Sequence, residues 1–225
     1  MNLRWLTADG AVTAAMVGAL VFWGAGLRGL ALLTLFFVSG SLLTAWNQRG
    51  PQRPEAPQGP QHESPVRPGP RRNARQVLAN GGWAAAGAVM VPWRPDVGWA
   101  VLLGSLATAQ ADTWATEIGA RSSRPPRLIT TRHPVPAGTS GGVTPLGTRA
   151  GVAGAIALAG LGVLLGVPLR LAALGAAVGV VGMMVDSVLG ATLESRGWLD
   201  NDGVNLAATF VGALTLVALT QVVAP

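Results

Sequence analysis

Two acidic residues, Asp112 and Glu117, lie in TAQADTWATEIG at the end of an apolar run, and a third, Asp186, lies in VGMMVDSVLGATLE at the end of another. A carboxylate in the hydrocarbon costs about 2.5–3.5 kcal/mol even on lenient insertion scales, so it is retained mainly where it faces a cation, a polar cavity or a partner. Mg²⁺ is a hard cation that takes one or two carboxylates and completes its shell with water and phosphate oxygens. Asp112, Glu117 and Asp186 are therefore the expected metal ligands, with Asp112 and Asp186 as catalytic residues. On a helix, Asp112 shares a stripe with Thr116 and Thr113 shares the adjacent one with Glu117. The alternative is structural: threonines bonded to local carbonyls, and acids paired with Arg121 or Arg132.

Between the two acidic segments runs LITTRHPVPAGTSGGVTPLGT, which has the composition of an anion cradle. Gly138, Gly141 and Gly142 allow positive φ and close backbone approach, so that successive N–H groups can form a nest. Thr139 and Ser140 add hydroxyl donors, and Arg132 can make a charge-assisted contact to phosphate. The segment is no Walker loop, because the chain contains no lysine. Gly175, Gly179 and Gly182 read instead as helix-packing positions.

These residues need elements to carry them. Half of the 225 residues are hydrophobic and 12% are charged, about half the charge of a soluble domain. Apolar runs at 11–27, 29–46, 76–92, 97–118, 150–167, 170–193 and 203–223 approach the length that spans a bilayer. The expected fold is all-α: a polytopic membrane bundle of about seven transmembrane helices, with two N-terminal helices in 1–46 and a five-helix catalytic core in 75–225. Residues 47–74, rich in Pro, Arg and Gln, read as a disordered cytoplasmic linker. There is no cysteine, which excludes disulfides and thiolate chemistry.

All 16 basic residues are arginines, and seven spans would leave only Arg28, Arg94 and Arg170 on one side. The positive-inside rule then puts the N-terminus in the cytoplasm and the C-terminus outside, in the cell's inner membrane. Arginines confined to loops argue for orientation in a bilayer and against a nucleic-acid partner. This topology brings Asp112, Glu117, Asp186, Ser187 and Glu194 to the cytoplasmic face. Asn80 and Asn205, in the first turns of their helices, and the glycine-rich loop at 119–149 come to the same face.

The series RQVLANGG, TAQADTWATEIG, PRLITT, VPAGTSGGVTPLGT, DSVLGATLE and NDGVNLAAT, across residues 75–212, resembles the integral membrane family known as domain of unknown function 92. The resemblance implies a phytyl-phosphate-kinase type of activity: transfer of a phosphoryl group from a nucleoside triphosphate, with CTP favoured, to an isoprenoid monophosphate. The expected cofactor is Mg²⁺. Phosphoryl transfer is mainly positioning and charge neutralisation, which matches acids for Mg²⁺–triphosphate, a loop at Gly138, Thr139, Ser140, Gly141 and Gly142 for phosphate, and Arg132 for developing charge. Asn80 and Asn205 would orient substrate or the metal shell. The alternatives are a CTP-dependent lipid cytidylyltransferase, a polyprenol kinase, or a transporter of cations or a phosphorylated solute.

Overall fold

The computed structural model describes residues 5–48 and 71–222, so most of the segment read as a linker lies outside the described residues. Six helices carry the fold: α1 (Ala8–Gln48), α2 (Ala74–Met90), α3 (Pro95–Gly119), α4 (Pro145–Leu164), α5 (Leu169–Leu189) and α6 (Asn201–Val222). A π-turn, Gly190–Glu194, extends α5, and two short strands, β1 (Arg127–Leu128) and β2 (Gly142–Val143), pair antiparallel in the loop before α4. The all-α bundle expected from the sequence is thus what the chain forms, with six helices where seven spans were counted.

The difference in count has one cause, which is α1. Its 41 residues are broken at Gly26, where φ is 63° and ψ is −158°, a region open almost only to glycine. The chain folds back there. A Cβ placed on Gly29 would lie 3.1 Å from Val21 Cγ1 and one on Gly18 would lie 3.9 Å from Leu30 Cδ1, contacts that a straight helix rising 1.5 Å per residue forbids. Trp5 and Phe37 meet edge-on at 5.9 Å, which closes the open end of the hairpin. The ends of the segment read as a linker belong to the bundle: α1 runs on to Gln48, the Arg72 N–H donates to the Trp5 carbonyl, and Asn73 caps α2 in a reciprocal box with Gln76.

Four helices, α1, α4, α5 with its π-turn, and α6, are long and apolar enough to cross a membrane. Their outer faces expose Met16, Leu20, Phe22, Ile156, Val181 and Leu214, an apolar surface of the kind a bilayer covers. Tryptophans mark both ends: Trp23 against Trp93 at 5.7 Å, and Trp46 and Trp198 at the other end, where such rings suit the interface. The chain is an integral, multi-pass membrane protein.

Helix α3 is not among those four, and its position explains why. Every residue from Ala100 to Ala111 is buried, including Ser105, Thr108 and Gln110, because the other helices enclose it. Polar side chains are tolerated there since none meets lipid. Apolar burial does not drive helices together inside a bilayer, so close backbone contact must do so. A Cβ on Gly104 would come 2.5 Å from the Gly212 carbonyl of α6, and one on Gly179 would come 2.7 Å from the Ala107 carbonyl of α3. Gly182 is equally tight against Thr108, whereas Gly175 has looser surroundings at 3.6 Å from Leu216. Two of the three glycines read as packing positions therefore make close approaches.

A Cβ at Gly26 has no heavy atom within 4 Å, so Gly26→Ala tests backbone strain without a steric clash. It should destabilise the protein by about 1–3 kcal/mol, read as a lowered midpoint of thermal unfolding in detergent, while Gly82→Ala, with equally open surroundings at normal φ, should not.

Candidate active site

Helix directions gather one end of each helix at a common level. Gly10 of α1 packs on the Arg72 carbonyl, the end of α1 bonds to Glu117 at the end of α3, and a Cβ on Gly147 at the start of α4 would come 2.6 Å from the Ala115 carbonyl. The C-terminal end of α5 and the first turn of α6 reach this same polar end. Arg75 of α2 holds Asp200 at 2.5 Å and approaches Asp202 at 3.8 Å. Asp200 also accepts the Gly203 N–H at 2.8 Å and so caps α6. That bond, with help from Arg75, keeps the Asp200 carboxyl below its ordinary range.

Asp112 of α3 faces Asp186 of α5, close enough for their carboxyl groups to share a hydrogen bond. Glu194, at the end of the π-turn, lies near enough to act electrostatically on both. The Asp186 Oδ2 is buried without a hydrogen-bond partner. Among the described residues no arginine acts on Asp112 or Asp186, whose charged neighbours are each other and Glu194. Like charges placed together inside a bundle require a proton or a cation.

Glu117 is elsewhere, contrary to the three-acid set expected from the sequence. It accepts the Thr44 hydroxyl and, at 2.6 Å, the Asn47 side-chain amide, both from the second arm of α1. Arg121 donates to Asn47 Oδ1 at 2.8 Å and lies 3.4 Å over the Trp46 ring, so this network clasps α1 to α3. The physical reason lies in spacing. Residues five apart differ by about 140° around a helix, so an Asp112 directed at α5 leaves Glu117 directed at α1. Among the described residues no three His, Asp or Glu side chains are grouped to hold a metal by themselves. Two carboxylates, one with an orphaned oxygen, nevertheless fit Mg²⁺ if water and phosphate complete its shell.

The glycine-rich loop is docked on this site. At Gly141, where φ is 75°, a Cβ would stand 2.5 Å from the Ser187 carbonyl and collide with Ala191. Ser140 and Glu194 come together beside Gly190, where a Cβ would lie 3.4 Å from the Ser140 carbonyl carbon and 3.5 Å from Glu194 Oε2. The loop therefore meets the α5 segment that bears Asp186. Its other members are spread out: Gly142 pairs with Leu128 in the small sheet, the Thr139 hydroxyl is occupied by the Pro136 carbonyl at 2.9 Å, and Gly138 is an exposed turn residue with φ 90°. Arg132 is exposed at the far turn, in the left-handed region with φ 62°, and is not brought against the acids by any described contact.

Asn80 and Asn205 each donate to a carbonyl one turn back on their own helix, Gln76 and Asn201, at 3.0 Å. Their helices are joined beside them, where the Thr209 hydroxyl reaches the Ala79 carbonyl at 3.1 Å. Glu194 is the site residue that the expected set omits. Its signal was its spacing of eight from Asp186 in DSVLGATLE, obscured because ordinary α-winding would carry it about 80° past Asp186. The π-turn, sealed by Ser195 N–H to the Gly190 carbonyl at 3.2 Å, underwinds that segment, and such turns occur often at functional sites.

The sequence matches the family described as integral membrane protein DUF92 over residues 1–213. The chain belongs to that family. The match includes the N-terminal hairpin as well as the 75–212 region where the motif words lie. An uncharacterised membrane protein of Methanocaldococcus jannaschii is 33% identical over 94% of this chain and 84% of its own length. Protein PGR of Arabidopsis thaliana is 29% identical over 90% and 83%, and the chloroplastic protein VTE6 of the same plant is 30% identical over 96% and 66%. No solved structure matches.

The absence of cysteine makes proximity testable. Ser140→Cys with Glu194→Cys should be joined by a short bis-thiol reagent in native membranes, and Arg132→Cys with Glu194→Cys should not; equal cross-linking of both pairs would contradict the docked loop.

Proposed function

We propose that this protein is a membrane-embedded isoprenoid-phosphate kinase, transferring the γ-phosphoryl group of a nucleoside triphosphate to a prenyl monophosphate. The observation that carries the reading is the Asp112–Asp186 pair, two facing carboxyls with a buried orphan oxygen and no basic partner at the polar end of the bundle. Family membership supports it, since the family resemblance implies phosphorylation of a prenyl phosphate.

In this reading the polar end faces the cytoplasm, where a soluble nucleotide arrives, and Asp112 and Asp186 hold Mg²⁺. Bound there, the ion supplies positive charge against the triphosphate. The Gly141 backbone and Ser140 flank the same position and limit where the phosphates lie. Glu194, which meets Ser140 beside Gly190, borders the loop where it docks on α5. The acceptor's phosphate oxygen attacks the γ-phosphorus, the bond to the β-phosphate oxygen breaks, and the nucleoside diphosphate leaves with that electron pair. An ionised phosphate needs no strong general base.

The experiment is purified protein with prenyl monophosphates of several lengths, each of the four nucleoside triphosphates, and Mg²⁺. A prenyl diphosphate is the expected product, with CTP preferred; a cytidyl-linked lipid would instead indicate a cytidylyltransferase. Asp112→Asn and Asp186→Asn should each lower turnover by about 100-fold or more, with normal insertion because loss of a membrane charge eases it. Glu117→Gln should retain turnover and lose thermal stability. Reporter fusions after residues 60 and 130 should register as cytoplasmic; an external signal at 130 would remove the nucleotide's access.

A further inference from the structure

A second feature of the polar end lies apart from the carboxyl pair. Between the two arms of α1 and the first turns of α2 is a cavity of about 180 Å³. Its walls are mostly apolar, with Val17, Leu30, Leu33, Phe36, Phe37 and Val77, and Arg72, Gln76 and Asn80 add polar side chains to its lining. From Phe37 to Leu30 is seven residues of helix, about 10 Å along the membrane normal at 1.5 Å per residue. Exposed Thr34 lies at its rim, so the cavity is open toward the lipid side.

Arg72 stands at the polar mouth in an unusual setting. Its guanidinium lies 5.4 Å from the Phe36 ring centre and 5.7 Å from that of Phe37, and it takes part in no salt bridge among the described residues. No described acceptor receives its side-chain N–H groups. Burial pulls its pKa below the ordinary arginine value, with Glu117 opposing that shift from a distance, and an arginine so placed remains charged. The point where a Gly40 Cβ would stand is 2.5 Å from an Arg72 guanidinium nitrogen and 3.0 Å from Thr113 Cγ2. Arg72 thus reaches α3 one residue beyond Asp112.

We infer that this cavity is the acceptor-lipid site, in which Arg72 binds the phosphate headgroup of a single-chain prenyl monophosphate and the apolar groove between the α1 arms and α2 takes the first part of its chain. Five guanidinium donors with no acceptor call for a multidentate oxyanion. A slim apolar slot open to the bilayer suits one chain and excludes the paired chains of a phospholipid. Gln76 and Asn80, whose side-chain oxygen is left over after its amide bonds to the Gln76 carbonyl, also line the cavity. The assignment rests on the kinase reading for the identity of the acceptor, and it adds where that acceptor sits and which cation holds it.

The test is equilibrium binding of geranylgeranyl monophosphate to the purified full chain without nucleotide or metal, beside geranylgeraniol and phosphatidic acid. Arg72→Ala should weaken the monophosphate by about tenfold or more, the worth of hydrogen bonds to a charged group, and leave the alcohol unchanged. Arg72→Lys should restore part of the loss, and Leu30→Trp, which fills the deep end, should weaken both monophosphate and alcohol. Parent-like monophosphate binding in Arg72→Ala and Leu30→Trp overturns the assignment, as does a copurifying phospholipid that geranylgeranyl monophosphate fails to displace. The two readings separate cleanly. Turnover by the parent with binding indifferent to Arg72 keeps the kinase and removes this site; the expected binding pattern without turnover keeps the site and removes the kinase.

Discussion

Backbone contact between α3 and its neighbours is the constraint on which the rest depends. Gly104 against Gly212 and Gly179 against Ala107 let α6 and α5 approach α3 without side chains between them. In a bilayer that closeness is a main source of helix affinity. It also sets the separation of the functional groups. Asp112 lies one turn beyond Thr108, the residue packed on Gly182, and Asp186 lies one turn beyond Gly182, so the packing that seats α5 also faces the two carboxyls. A larger residue at either glycine would part them.

Around that core the polar end divides into three regions with separate physical tasks. Glu117, Thr44, Asn47 and Arg121 fasten the hairpin to α3 and satisfy one another. Arg75, Asp200 and Asp202 fasten α2 to α6. Between and beside them are groups that no described residue satisfies, among them the orphaned oxygen of Asp186 and the guanidinium of Arg72. Unpartnered polar atoms inside a membrane bundle are costly, and in the proposed reading each takes a ligand, a cation for the carboxylates and an anion for Arg72.

Much of the bundle was legible in the sequence because hydropathy and length report directly on lipid exposure. The first two apolar segments could be separated at Leu27–Arg28, and the hairpin does turn there, at Gly26. What hydropathy could not convey is which helix lies inside. The Ser105, Thr108 and Gln110 of α3 lower its apolarity, yet it is the most enclosed element, since enclosure by other helices is a tertiary fact. In the site, Asp112 and Asp186 were legible as intramembrane acids and do face each other. Glu117 was drawn into the same set by proximity in sequence, although a separation of five turns it toward another helix. Glu194 depended on a π-turn, which no residue pattern announced. Arg72, placed by composition in a proline-rich linker, owes its setting to the α1 hairpin and to the cap on α2.

The central claim, that Asp112 and Asp186 form a cation site serving a triphosphate, is tested most directly by electron paramagnetic resonance titration of Mn²⁺ in place of Mg²⁺, with a non-hydrolysable nucleotide present. One protein-bound Mn²⁺ per chain is predicted for the parent and for Glu117→Gln, with its loss in Asp112→Asn and in Asp186→Asn. Full Mn²⁺ binding by the doubly substituted protein would contradict the account.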